Sequence, residues 1–160
     1  MIRMLLMGCV LLLSACASQP PLPTHNPTLS LPLQLHVVRE QDGQRQDWLL
    51  VIQHEDGGIR WSMMDPLGIP LARQKLINGA WQADGLLPPN SQARELFAAL
   101  LFALTSADEV STLYPGTQEI DLTRTLPSRW QITYHSSLVF RVNLPGQHLI
   151  YHISPLETAR

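Results

Sequence analysis

Residues 33–64 read LQLHVVREQDGQRQDWLLVIQHEDGGIRWSMM, three alternating runs cut by two Asp-Gly pairs at 42–43 and 56–57. Asp-Gly between alternating apolar runs is a strong short-range signal for a β-hairpin, because both central residues of the tight hairpin turn need a left-handed backbone. A two-residue turn at Asp42-Gly43 sets Val37 opposite Trp48, Leu35 opposite Leu50 and Leu33 opposite Ile52. The second turn sets Ile52 opposite Trp61 and Leu50 opposite Met63. Both assignments send the large apolar side chains to one face, and a slip of one residue would scatter them over two.

The pattern continues outward on both sides. A turn at Pro66-Leu67 places Trp61 opposite Ala72, and Asn78-Gly79 places Leu76 opposite Trp81. Gln34, His36, Asp47, Gln53, Arg60, Ser62, Arg73, Lys75 and Gln82 fall on the opposite, solvated face, together with Val51 and Leu71. Near the C-terminus Trp130–Tyr134, Leu138–Leu144 and His148–Ile153 read as three more strands. A turn at Pro145-Gly146 pairs Val142 with Leu149, Phe140 with Tyr151 and Leu138 with Ile153. Keeping Trp130, Ile132 and Tyr134 on the same face requires a three-residue loop at His135–Ser137. Between the two strand groups, Ser91 to Leu104 reads as a helix with Asn90 or Ser91 as N-cap. Its "ELFAALLFAL" is apolar almost all round, which fits either a central core helix or a helix that lines or covers a cavity. Residues 105–127 read as loop with a short strand near Glu119–Thr123.

These elements predict a mainly β fold, a curved antiparallel half-barrel of about eight strands with an inserted apolar helix over one face. A single helix is little cover for so wide a sheet, so an apolar hollow is expected, walled by Leu35, Val37, Trp48, Leu50, Ile52, Trp61, Met63, Leu76 and Trp81 with Leu96 and Leu100 from the helix.

Composition narrows the class of function. The chain has 160 residues, 45 % apolar and 15 % charged, with a net charge of −2. That suits one globular domain and gives no electrostatic case for nucleic acid. The N-terminus carries an export signal: Arg3, the apolar run Met4–Leu13, then Leu13-Ser14-Ala15-Cys16. The run is too short to span a bilayer, and its last four residues look like a bacterial lipobox. Residues 1–15 are therefore expected to be removed, and Cys16 to take a diacylglycerol and acyl chains. Residues 16–30, rich in Ser, Pro, Thr and Asn, are expected to form a flexible tether to a single domain at 31–160. Ala17 is not the aspartate associated with inner-membrane retention, so the expected location is the periplasmic face of the outer membrane. Cys9 lies within the signal, which leaves no pair of thiols for a disulfide.

Catalytic and metal-binding patterns point elsewhere than this chain. His148 and His152 fall on a strand, where a spacing of four residues separates Cα atoms by about 13 Å, too far for one ion. His54-Glu55 lacks the second histidine of a zincin, and there is no nucleophile elbow, phosphate loop or dinucleotide fingerprint. No enzyme activity and no cofactor are expected.

The lipobox, the polar tether, the meander with Asp65-Pro66-Leu67-Gly68 after its third strand, and the helix before further strands together resemble the LolA/LolB-like outer-membrane lipoproteins. The chain is shorter than LolB and has fewer helices, and in this it is similar to the short LolB-like lipoproteins encoded beside aryl polyene lipid genes. The resemblance implies an acylated cargo, either a lipoprotein or a polyene-type lipid, held in an apolar cavity and passed on at the membrane. It also implies a periplasmic LolA-like carrier as a partner, and a leucine, Leu67, that projects from its loop into the membrane. From the residues alone, Leu67 either folds back on the sheet edge or stays out because its environment is lipid. The alternative function is a structural lipoprotein that docks a partner protein and has no ligand cavity.

Overall fold

The computed structural model describes residues 19–156, so the signal segment and Cys16 lie outside the described residues. Ten strands form one antiparallel sheet: β1 (Leu33–Gln41), β2 (Gln44–Glu55), β3 (Gly58–Met64), β4 (Pro70–Ile77), β5 (Ala80–Ala83), β6 (Gln118–Ile120), β7 (Thr123–Leu126), β8 (Trp130–Ser136), β9 (Val139–Leu144) and β10 (Leu149–Pro155). The order across the sheet is β5-β4-β3-β2-β1-β10-β9-β8-β7-β6, with β5 and β6 as unjoined edges. Helix α1 (Ser91–Leu104) and the short α2 (Ala107–Leu113) connect the two edges.

The curvature follows from what α1 touches. Phe97 meets Trp81 of β5 and Phe102 meets Trp130 of β8, with ring centroids 6.0 and 5.7 Å apart. Those strands are seven places apart, about 34 Å if the sheet were flat, whereas a helix with side chains is about 10 Å across. One helix reaches both only because the sheet curls around it into an open half-barrel.

The Asp-Gly turns set the centre of the sheet as their chemistry requires. Asp42 and Gly43 both have positive φ (51° and 74°), and Val37↔Trp48, Leu35↔Leu50 and Leu33↔Ile52 pair across the turn. Ile52↔Trp61 and Leu50↔Met63 follow from the second turn, and Leu76↔Trp81 from the turn at Asn78-Gly79.

Two other turns are longer than expected. Between β3 and β4 the loop takes residues 65–69, so Met63, not Trp61, faces Ala72, and Trp61 faces Gln74. Between β9 and β10 a 3-10 turn at Pro145–Gln147, followed by left-handed His148, shifts the pairs to Val142↔Tyr151, Phe140↔Ile153 and Leu144↔Leu149. Each shift is two residues, which preserves the side of every side chain and so leaves the apolar face intact. The β8–β9 join pairs Tyr134 with Phe140 and absorbs an irregularity between Tyr134 and Ser136.

Three expectations need correction. There are ten strands instead of about eight, because residues 118–126 form a hairpin whose turn, Asp121-Leu122, sits where a strand was expected. A second helix precedes it, with buried Val110 and Leu113 separated by the exposed Ser111 and Thr112, a pattern too short to read by period. The described part of the expected tether, residues 19–30, lies on the domain. Leu22 and Leu29 pack on the core, and Thr28 donates its N–H and hydroxyl to the Glu109 carboxylate at 3.2 and 2.9 Å.

The hollow is filled. Leu35, Val37, Trp48, Leu50, Ile52, Trp61, Met63, Leu76, Leu96 and Leu100 belong to one buried cluster with Trp81 packed against it. Helix α1 occupies the inner face because it is apolar all round: residues Leu96 to Ala103 are all buried.

Candidate functional site

Hairpin loops alternate between the two ends of an antiparallel sheet. One rim, here called the near rim, carries the turns at 42–43, 65–69, 127–129 and 145–148; the far rim carries 56–57, 78–79, 121–122 and 137–138. The near rim also holds the N-terminus of α1 and the start of the described chain. Gln19 and Pro20 line a cavity of about 400 Å³ there with Ser91, Gln92, Arg129 and Gln147.

The loop at 65–69 holds its leucine in the open. The Asp65 carboxylate accepts from the N–H of Leu67 and of Ile69, both at 2.9 Å. Gly68 N–H donates to Asp65 O and Asp65 N–H to Ile69 O, both at 3.0 Å, and Gly68 is left-handed with φ +81°. The backbone is thus closed on itself without using any side chain of the core. Leu67 remains 86 % exposed and Ile69 55 %. Leu67 therefore does not fold back on the sheet edge.

Beside this loop, the outer face of β9, β10, β1 and β2 forms a broad depression of about 790 Å³. Its lining includes His36, Asp47, Leu49, Pro66, Val139 and Leu156. His36 Nε2 lies 2.8 Å from Asp47 Oδ1. Hydrogen bonding from Arg45 is the main influence that holds the Asp47 carboxyl below its usual range; burial opposes it, and His36 adds to it. Ser154 is the register partner of His36 on this face. The described hydrogen bonds tie the imidazole to Asp47, and among the described residues none joins it to Ser154.

At the far rim, α1 ends on a side chain that sequence reading missed. Arg124 is 5 % exposed and donates to Phe102 O, Ala103 O and Thr105 O at 3.0, 3.4 and 2.6 Å. It also donates to Glu119 Oε1 at 2.8 Å and lies over the rings of Phe102 and Tyr134. A guanidinium at a helix C-terminus meets both the unpaired carbonyls and the negative end of the helix dipole. Tyr134 helps, donating to Ala103 O at 2.7 Å, and burial raises its phenol to about 12. At the other end Asn90 Oδ1 accepts from Ala93 N–H at 3.0 Å, and Glu95 accepts from Trp130 Nε1 and Arg129 at 2.7 and 2.8 Å.

The interior is apolar but not free of unpaired polar atoms. Gln74, 4 % exposed, sits on the inner face opposite Trp61. Its Oε1 and the indole N–H groups of Trp61 and Trp81 are buried without a protein partner. The rings of Trp61 and Trp81 lie 5.7 Å apart edge to face, and Phe97 of α1 packs on both. Gln74 lay in the inward register of the sequence but was a lone polar residue in an apolar set, so the alternation alone gave no reason to single it out. Leu86, fully exposed in the loop before α1, was also missed, since no motif surrounds it.

Among the described residues no helix is long and apolar enough to cross a membrane, and no group of three metal-ligating side chains converges. Comparison with family models finds no match, and comparison with curated proteins finds none.

Proposed function

We propose that this chain is a LolB-like lipoprotein that handles an acylated cargo at the periplasmic face of the outer membrane, held there through acylated Cys16. The observation that carries the reading is Leu67, which a closed hydrogen-bonded loop holds 86 % exposed at the near rim. Water gives no reason to build that arrangement; transfer of one leucine from water into lipid contributes about 1.5–3 kcal/mol. The cargo would take the volume that α1 now fills, its acyl chain replacing Phe97 against Trp61 and Trp81. The unpaired Gln74 oxygen and indole N–H groups support this, because buried polar atoms without partners are costly in a core meant to stay shut. No catalysis or cofactor enters the scheme, and a LolA-like carrier would be the source of cargo.

The filled inner face favours a second reading, a structural lipoprotein that docks a partner protein and binds no ligand. Native mass spectrometry and tryptophan fluorescence of the chain from Ala17 onward, offered a long-chain acyl ligand, separate the two. Saturable uptake with a tryptophan shift supports the carrier, and Leu67→Glu should then impair delivery to liposomes while leaving uptake intact. A folded, monodisperse sample that takes up no acyl chain would sink the carrier and leave the structural role.

A further inference from the structure

Leu86 is the most exposed large apolar side chain among the described residues, and its position is held at both ends of its loop. Before it, Asp84 pairs with Arg60 of β3 at 2.6 Å. After it, Pro88 and Pro89 lead to Asn90, which caps α1. Gly85, with φ +86°, turns the chain away from the β5 edge, and the loop arrives at the near rim, where α1 begins. Leu87 turns partly inward while Leu86 points to solvent, so the exposure belongs to one side chain on a defined loop.

Position decides what this side chain meets. Gln19 and Pro20 line one cavity with Ser91, Gln92 and Arg94 at the start of α1. Cys16 precedes Gln19 by three residues, a reach of at most about 11 Å. Acylation of Cys16 therefore holds Gln19, and with it the rim at which α1 starts, close to the bilayer surface. Leu67 leaves the fold at this rim, and Leu86 lies on the segment that runs from β5, which rises from the far-rim turn at 78–79, to the start of α1 at the same rim.

We infer that Leu86 is a second membrane contact and that the domain docks end-on: the near rim enters the lipid surface through Leu67 and Leu86, and the far rim points away. This rests on the proposed acylation of Cys16 and on the membrane role of Leu67. The far rim supplies the control. Ile120, just before its 121–122 turn, and Leu122, within it, are 71 % and 64 % exposed, so they match the near-rim leucines in chemistry and differ in place.

The test uses the full mature lipoprotein, acylated at Cys16, in vesicles of phosphatidylethanolamine and phosphatidylglycerol. Leu67→Cys, Leu86→Cys and Ile120→Cys each add one free thiol, which is labelled with an environment-sensitive dye. Nitroxide-bearing lipids then report depth. Blue-shifted emission and quenching at positions 67 and 86, with neither at 120, is the expected result. A response at 67 without one at 86 overturns this inference and leaves the proposed function standing. Equal quenching at 120 overturns the end-on orientation, and silence at all three positions overturns both the inference and the membrane role of Leu67. All three sites are exposed, so the substitutions leave the core untouched, and far-ultraviolet circular dichroism checks that they do.

Discussion

Replacing Arg124 by methionine should unfold the far-rim end of α1 more than its distance from any proposed ligand suggests. The methionine fills the stem volume between Phe102 and Tyr134 but donates nothing. Ala103 O keeps the Tyr134 hydroxyl, whereas Phe102 O and Thr105 O lose the donor that reached them at 3.0 and 2.6 Å. Two buried carbonyls left without that donor cost about 1–3 kcal/mol each, and the lost charge removes up to about 2 kcal/mol of favourable interaction with the helix dipole. The desolvation of the guanidinium is recovered in part, so the net loss should be about 3–5 kcal/mol, as for other buried charges stripped of their role. Against a total of about 5–15 kcal/mol this is a large share of the stability. Equilibrium unfolding in urea, followed by tryptophan fluorescence, measures it as a fall in midpoint at unchanged slope. Glu119→Gln provides the contrast: its carboxylate is 42 % exposed, and removing its charge should cost less than about 1 kcal/mol. If Arg124→Met lies within about 1 kcal/mol of the parent, the guanidinium is not the cap of α1 and the reasoning fails.

Two further outcomes follow from particular contacts. Gln74→Leu keeps the shape of the inner face and removes an acceptor that has no protein donor, so the protein should gain about 1–3 kcal/mol, seen as a higher melting temperature; a lower one would mean that the amide is paired in solution. Glu109 is held below its usual carboxylate range first by the Thr28 hydroxyl, then by the Ser106 hydroxyl. Because its folded value is the lower one, this stabilisation is present above the unfolded value, about 4.3, and is lost as pH falls through the folded value. Amide exchange at Thr28 should therefore rise relative to the sheet only as pH falls below about 4.3, and Glu109→Gln should abolish that step.

The central strands were legible because two-residue turns and alternation are local. Asp42-Gly43 and Asp56-Gly57 determine their own backbone and, through it, the pairing of every residue they join. Turn length was less legible where side chains intervene. The Asp65 carboxylate gathers the N–H groups of Leu67 and Ile69 and so lengthens the β3–β4 loop, and a left-handed His148 lengthens the β9–β10 turn. Parity survived in both places, so the inner face was read correctly while the partners on it were displaced by two. The short hairpin at 118–126 and the helix at 107–113 carry too few periods to stand out from loop.

By itself, then, the sequence determined the hairpins of β1 to β5 and β8 to β10, their apolar face, the extent of α1 and the loop that bears Leu67, because each depends on residues a few positions apart. Only the tertiary structure decided that α1 fills the hollow, that Arg124 closes its end, that residues 19–30 lie on the domain, and that Leu86 stands fully exposed on the loop that leads into α1. Those outcomes depend on how far a ten-stranded sheet curls and on which distant side chains the curl brings together. Neither quantity is written in any short stretch of chain.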